Sequence, residues 1–324
     1  MQTLLANKDK IFEIKKKVEE KDMSLYNTIE IPNIQITDKT ISIVMTASNR
    51  SIQTYFTLKT IQNSSFKEIH VIIVDDSDAD PIIKEELEKY PFYIDFISIK
   101  RQHKNWVNPV VNYNIGFQYI KGSKVIIQNA EVCHIGDVLE YIATQITQDN
   151  YYVCDVKAAI VPRNKDKNSF IPNENIYKSN TKTIDIYKNY SLFGQWYQCR
   201  EKLVNFHFLT AMTLSTFNKI KSFSYDYTMG LSFDDDDFLL KIIANKIKIK
   251  NLFHDEYFFG GIHLWHKSSI KHIVRKIESN IDIFKKKKDV MLRKGEYIDI
   301  TEDFDLFDEK YNIILNNNAN ITCK

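Results

Sequence analysis

Three carboxylate-bearing segments and one His–Trp segment hold the residue types of this chain best suited to chemistry. Asp234, Asp235, Asp236 and Asp237 stand in a row between Phe233 and the apolar Phe238-Leu239-Leu240. Adjacent carboxylates repel, which costs stability unless a helix N-terminus, a cation or solvent relieves them. One can act as a general base toward a hydroxyl, while its neighbours cap a helix or bind an acceptor. Asp75 and Asp76 end an apolar run, where they can accept hydrogen bonds from a nucleoside or help hold a metal; helix capping and turn formation are the other use of such residues. Asn129 and Glu131 are two apart after another apolar run, so on extended backbone both oxygens face one side and can point at one Mg2+ or Mn2+ ion. A turn with a capping Asn is the alternative. His263 and His266 flank Leu264-Trp265 after Gly260-Gly261 and can add an imidazole to a carboxylate-held metal. Cys133 and His134 beside Glu131 lack the spacing of a zinc cluster.

These residues need a scaffold, and the hydrophobic pattern supplies one. Strands are expected at 41–45, 69–74, 92–99 and 125–127, each a short β-branched or aromatic run. Helices are expected at 51–62, at 81–90 opened by Pro81, at 108–120 with Pro109 near its start, and at 238–247 after the acidic run. This β-α-β-α order implies a mostly parallel sheet with helices on both sides, and such sheets bind ligands beyond the carboxyl ends of their strands. Residues 47–50, 75–78 and 129–131 all follow strands at that edge. Ile11, Phe12, Ile14 and Val18 mark an amphipathic helix within a leader, 1–40, expected to pack on the main domain. The polar stretch 162–190 reads as a long loop or lid, 268–293 as a basic amphipathic helix, and 316–324 as a frayed end.

The bulk numbers agree with one large α/β domain bearing helical extensions, or with two domains. The 324 residues are 44% hydrophobic and include 20 Phe and 18 Tyr, enough for a sizeable core. A net charge of +2, with basic residues that are mostly Lys, gives no sign of a nucleic-acid surface. Cys133, Cys154, Cys199 and Cys323 are widely spaced, which points to reduced thiols rather than a disulfide framework. No apolar run is long enough to span a membrane, and Lys8, Asp9 and Lys10 interrupt any secretory core. A soluble, cytoplasmic protein is expected.

Taken in order, these motifs resemble the GT-A glycosyltransferases, particularly those of family two, over residues 40–267. ISIVMTASNR is similar to that family's opening strand and nucleotide-binding turn, and the resemblance puts Ala47, Ser48, Asn49 and Arg50 near the nucleotide. HVIIVDDSD is similar to the second strand, with Asp76 contacting the nucleoside and Asp75 beside it. NPVVNYNIG resembles the segment NxARNxG, making Asn112 and Asn114 donor-facing. IIQNAE stands where the family carries its DxD metal motif, with Asn129 replacing the first Asp and Glu131 the second. GLSFDDDDFL resembles the acceptor motif, Asp234 at the Glu position and Asp235 at the catalytic Asp position. HLWH resembles the segment that donates a third metal ligand, His266 being the first choice and His263 the second.

The resemblance implies an α/β fold of the GT-A, Rossmann-like type, a mostly parallel sheet flanked by helices with N- and C-terminal helical extensions. Residues 41–267 would form the glycosyltransferase domain: 41–131 the nucleotide-sugar half, 132–267 the acceptor and catalytic half. Residues 268–324 would be a helical extension and tail. The implied reaction is inverting transfer from a UDP-sugar to a hydroxyl of a glycan, protein or small molecule, assisted by Mn2+ or Mg2+, with Asp235 as base, Asp234 beside it and Asp236 on the acceptor side. Trp265 or Trp196 would stack on a sugar face, unless either belongs to the core. A nucleotidyltransferase and a non-catalytic sugar- or partner-binding relative are the competing readings.

Overall fold

Short β-branched runs separated by helical segments fold, in a computed structural model, into an eleven-stranded mixed sheet flanked by helices. The structure describes residues 4, 6–161, 165, 193–199, 207–253, 259–266 and 274–301, without the side chains of 193–196 and 274–279. The expected loop 162–190, apart from Lys165, and the tail 316–324 lie outside the described residues. The elements in chain order are α1 (Lys8–Glu19), β1 (Tyr26–Pro32), β2 (Ile41–Ala47), α2 (Ser51–Gln62), β3 (Ile69–Asp75), α3 (Lys84–Leu87), β4 (Tyr93–Ile99), α4 (Val110–Phe117), β5 (Lys124–Asn129), β6 (Val132–Ile135), α5 (Val138–Gln145), β7 (Asn150–Ala159), β8 (Phe193–Gln198), β9 (Leu209–Thr213), α6 (Leu214–Ile220), α7 (Asp234–Ala244), β10 (Lys248–Leu252), β11 (Gly260–His263) and α8 (Val274–Lys294).

The sheet runs β1-β4-β3-β2-β5-β9-β7-β11-β6, with β8 and β10 also on β7. The parallel expectation holds for β4-β3-β2-β5. Beyond it, β9 is antiparallel to β5 and β7, and β11 is antiparallel to β6. Period-two alternation sorts the strand residues into two layers. Ile69, Val71 and Ile73 of β3 pack with Leu58 of α2 and Leu139 of α5, while Ile72 and Val74 face α1, α4 and the C-terminal helices. β2 lies between β3 and β5, so its carboxyl end is a crevice with chain departing on either side, the usual place for a ligand.

Several expectations shift. Residues 1–40 are more than a leader, because β1 pairs antiparallel with β4 along its whole length and becomes the sheet's edge. Its alternation of apolar and polar residues, closed by Pro32, suits an edge position. The helix expected at 81–90 shrinks to the four residues of α3, since Ile82 and Ile83 donate their backbone N–H groups to the Asp75 carboxylate and the Tyr55 hydroxyl. The helix expected at 108–120 is Val110–Phe117, begun where the Asn108 side chain accepts from Val110 N at 3.0 Å. The acidic run does not precede a helix; it is the first turn of α7, which ends at Ala244 rather than 247.

Ser42, His70 and Asp95 stand in line on β2, β3 and β4, with Ser42 Oγ 3.0 Å from His70 Nδ1 and His70 Nε2 2.9 Å from Asp95. This is a structural network. Ser42 Oγ accepts the N–H groups of Lys121 and Gly122, and all three side chains are buried away from the ligand crevice. No helix among the described residues is long and apolar enough to cross a membrane.

Candidate active site

A cavity of about 460 Å3 opens at the carboxyl ends of β2, β3 and β5. Ala47, Ser48 and Arg50 line it from the turn after β2, Asp76 from the end of β3, Asn112 and Tyr113 from α4, Asn129 and Glu131 from the end of β5, His263 and His266 from β11 and beyond, and Asp234 and Asp235 from α7. Most of the residues singled out in the sequence therefore converge on one volume, although the chain separates Ala47 from His266 by more than two-thirds of its length.

Asp76 is buried, and its two carboxylate oxygens differ. Oδ2 accepts from Lys104 Nζ and, at 2.9 Å, from Asn112 Nδ2. Oδ1 is buried without a hydrogen-bond partner among the described residues. Burial pushes the carboxyl upward, yet Lys104, Ser48 and Asn112 together hold it below its ordinary range, so it is an anion. Asn112 is oriented in turn by Trp106 Nε1, which donates to its Oδ1 at 2.9 Å.

Asp75, Asn49 and Asn114 do not line the cavity. Asp75 accepts from Ser77 N and Ile82 N, and Asn49 accepts from the backbone N–H groups of residues 78, 79 and 80. Both are turn-builders: they close the loop whose Asp80 caps α2 at Ser51. Asn114 bonds the backbone N and O of Phe223, tying α4 to the segment before α7. The alternation of a helix explains the split, since positions 112 and 114 cannot share a face.

The second cluster is built by sheet register. The short turn between β5 and β6 carries Glu131, and β11 pairs antiparallel with β6 so that His263 lies opposite Val132. Leu264 N donates to Glu131 O at 2.8 Å, fixing the exit of β11 against that turn. Gly261 permits this approach, for a Cβ there would meet Val132 Cγ1 at 2.5 Å. Glu131 Oε1 consequently sits 3.4 Å from His263 Nε2 and 3.4 Å from His266 Nε2, with the Arg50 guanidinium also on it at 2.5 Å. Burial opposes the charge on Glu131, but Arg50 and the two imidazoles outweigh it and hold the carboxyl well below its ordinary value. One ligand atom from each of Glu131, His263 and His266 lies within 4.8 Å of the others, and Glu131 Oε2 is buried with no hydrogen-bond partner among the described residues. An orphaned carboxylate oxygen beside two imidazole nitrogens fits a divalent cation. Asn129 contributes differently: its Oδ1 accepts from the Tyr113 hydroxyl at 3.2 Å at the cavity wall.

The third cluster is the first turn of α7. Asn108 Nδ2 donates to Asp234 Oδ1 at 3.1 Å. Asp235 lies 3.6 Å from His207 Nε2. Burial and then the Asp235 charge push Asp234 up to about 7; burial and then the Asp236 charge push Asp235 up to about 7. With 38% of the Asp235 side chain accessible from the cavity, water there offsets part of that rise. Asp236 and Trp265 do not line the cavity, and Trp265 is fixed by Gln53, which donates to its carbonyl at 3.1 Å. Of Trp196 only the backbone, in β8, is described. Lys104, Asn108, Tyr113 and His207 went unmarked in the sequence: Lys104 and His207 stand outside every motif, and Asn108 and Tyr113 lie within NPVVNYNIG at positions the resemblance does not single out.

Residues 42–201 match the family model for glycosyl transferase family 2. That span includes the turn after β2, Asp76, Asn112 and Glu131, and it ends before Asp235 and the two histidines. Among solved structures, residues 1–349 of S. aureus TarS in complex with UDP-GlcNAc are similar at 15% identity and a TM-score of 0.47, over 71% of this chain and 60% of that one. The mannosyltransferase PcManGT from Pyrobaculum calidifontis, in complex with GDP-Man and Mn2+, is similar at 11% identity and a TM-score of 0.47, over 91% and 76%. GalNAc-T7 with UDP, GalNAc and Mn2+ is similar at 15% identity and a TM-score of 0.47, over 84% and 54%. The chain spans less than two-thirds of the S. aureus TarS chains, 36% of the longest and 60% of the 1–349 form. No curated protein matches it.

Proposed function

We propose, for a chain of GT-A fold whose residues 42–201 match glycosyl transferase family 2, that it transfers a sugar from a nucleotide-sugar, a UDP-sugar in the first instance, to an acceptor hydroxyl with inversion. The observation that carries the reading is the meeting in one cavity of the Asp76 pocket, the Glu131–His263–His266 cluster and the Asp235 carboxylate.

The donor assignment rests on Asp76. Its unpartnered Oδ1 is an acceptor aimed at a group that must donate, and the N3–H of uracil is such a group. The phosphates then meet Arg50 and the Glu131 cluster on the neighbouring strand end. A divalent cation held by Glu131, His263 and His266 would neutralise charge that develops on the departing diphosphate. Arg50 supplies a fixed positive charge at the same place. Asp235 faces the cavity from the opposite element and takes the proton from the acceptor hydroxyl as its oxygen attacks the anomeric carbon.

The amide of Asp76→Asn makes a sharp test. Lys104 and Asn112 both donate to the Oδ2 position, so the Asn oxygen must sit there and its NH2 must face the base. Two donors then oppose each other at uracil N3, and UDP affinity is expected to fall about 30-fold by calorimetry. Cytosine N3 accepts, so CDP is expected to lose far less; equal loss of both would sink the assignment of Oδ1 to the base.

The reaction itself is tested by incubation with UDP-glucose, UDP-galactose and UDP-GlcNAc, assaying products. Free UDP is expected. Pyrophosphate would indicate nucleotidyl transfer, and binding without turnover a non-catalytic relative. Two imidazoles and one carboxylate favour Mn2+ over Mg2+. Manganese binding followed by electron paramagnetic resonance should weaken about 100-fold in Glu131→Gln, which keeps the shape and loses the charge. Unchanged binding would remove Glu131 from the metal set.

A further inference from the structure

His207 stands directly beneath the acidic turn and has no place in the scheme above. It sits just before β9, is almost wholly buried, and packs edge-on against both Phe223 and Phe238 at 4.9 and 4.8 Å between ring centres, the two phenyl rings also touching each other at 4.6 Å. Its Nδ1 lies 2.9 Å from the Tyr151 hydroxyl, while its Nε2 is buried with no hydrogen-bond partner among the described residues and lies 3.6 Å from Asp235 Oδ1. A ring with one nitrogen held by Tyr151 and the other turned toward Asp235, with both the backbone and the cavity-facing carboxylate of that residue near it, is a built arrangement. A neutral imidazole can satisfy both neighbours in one tautomer: Tyr151 donates to Nδ1, and Nε2–H faces the carboxylate. Burial favours the neutral ring, pushing His207 down to about 4.

We propose that His207 is a positioning residue for the general base, its Nε2–H holding one oxygen of Asp235 so that the other faces the acceptor hydroxyl, with Tyr151 setting the tautomer. The proposal rests on the reading of Asp235 as the base. The 3.6 Å separation is long for a hydrogen bond, and contacts of this kind tighten when the reacting complex forms. Among the described residues, the other ionisable groups around Asp235 are Asp234 and Asp236 on its own helix and Tyr113 and Tyr151 from α4 and β7. None offers a second N–H to this carboxylate. A donor at Nε2 stabilises the charged form, so its loss should raise the pH below which transfer fails.

Three substitutions separate the two nitrogens. Gln places an amide N–H near the Nε2 position, Asn retains a partner only for Tyr151, and Phe keeps the ring with neither. The readout is UDP release from the UDP-sugar turned over fastest, with water as acceptor, followed across pH. His207→Asn and His207→Phe are expected to lower kcat about 30-fold with KM for the donor unchanged, and to move the acid limb up by ~0.5–1 pH unit. His207→Gln should recover most of both losses. Tyr151→Phe should reproduce the limb shift with a smaller fall in kcat, which keeps the test open if ring substitutions disturb folding; thermal melts and UDP affinity report on that. His207→Asn as active as His207→Gln, or Tyr151→Phe with wild-type kcat and limb, would overturn the proposal. Asp235→Asn distinguishes the two levels: if it retains turnover the base reading itself fails, whereas an inactive Asp235→Asn beside a fully active His207→Phe removes only the role of His207.

Discussion

Asp235→Asn is expected to reduce transfer about 1,000-fold while leaving UDP affinity unchanged, the signature of a group that acts only in the transition state. The residues of the proposed donor site come from β2, β3, α4 and the β5–β6 turn, whereas Asp235 belongs to α7, so the amide removes the proposed proton acceptor without touching that part of the cavity. A second consequence follows from the same carboxylate. Burial and the Asp236 charge raise Asp235 from its ordinary 3.8 to about 7. Between those values the folded protein retains a proton that the unfolded chain has released, so this group favours folding at low pH and opposes it as pH rises through the window. The amide lacks that dependence and also relieves Asp234, which the Asp235 charge pushes upward. The variant should therefore melt higher than the wild type at pH 8, with the gap closing toward pH 4. Loss of transfer together with a gain in stability would mark Asp235 as a charge retained for reaction rather than for folding. A variant that loses both would point to a structural role, and one that keeps turnover would end the base assignment.

The sequence made the sheet legible because β2, β3 and β5 are short runs of β-branched residues, each delivering a polar loop to the same edge. Asp76, Glu131, Asp234 and Asp235 were readable for that reason, their position after a strand or at a helix start being a local property. What stayed hidden was set by distant contacts. Whether His263, His266 or both approach Glu131 depends on the antiparallel register of β11 on β6, a pairing across more than a hundred residues. Asp75 and Asp76 are equivalent as letters, yet opposite sides of one strand end send the first to the turn and the second to the cavity. β1 was passed over because an edge strand needs only one buried face, and its polar positions resemble a linker. His207 and Lys104 carry no sequence signal at all; their partners, Asp235 and Asp76, are reached only through the fold.

The fourth aspartate of the run serves another purpose, and it carries the largest stability effect we expect. Asp237 is buried and accepts from the hydroxyls of Tyr227 at 3.1 Å and Tyr297 at 2.6 Å, while Lys287 of α8 lies 3.0 Å from it and 2.9 Å from Asp226. Lys287 also donates to Tyr297 at 2.8 Å and Ser224 at 3.2 Å and is fully enclosed. Asp226 receives the backbone N–H groups of Ile300 and Thr301, so one lysine joins α7, the turn before it, α8 and the chain beyond α8. Burial alone would neutralise the ammonium, but Asp226, Asp237 and Asp299 outweigh it and hold Lys287 charged. Lys287→Met keeps the apolar stem and strands two buried carboxylates without a counter-charge, a loss of about 3–5 kcal/mol measurable by urea unfolding. The sign of its pH dependence discriminates further. In the wild type, burial raises Asp226 but Lys287 and Thr301 outweigh it, so its pairing stabilises the fold above the ordinary 3.8 and is lost only as pH falls through a lower value. In Lys287→Met burial raises the Asp226 carboxyl without the lysine to oppose it, so the variant binds protons on folding and its deficit widens as pH rises from 4 to 8. A deficit independent of pH would mean that lost packing, rather than the uncompensated charge, explains the damage. Because Asp237 is two residues from Asp235, the same substitution should also loosen the turn that presents the proposed base, lowering kcat at temperatures where the variant remains folded.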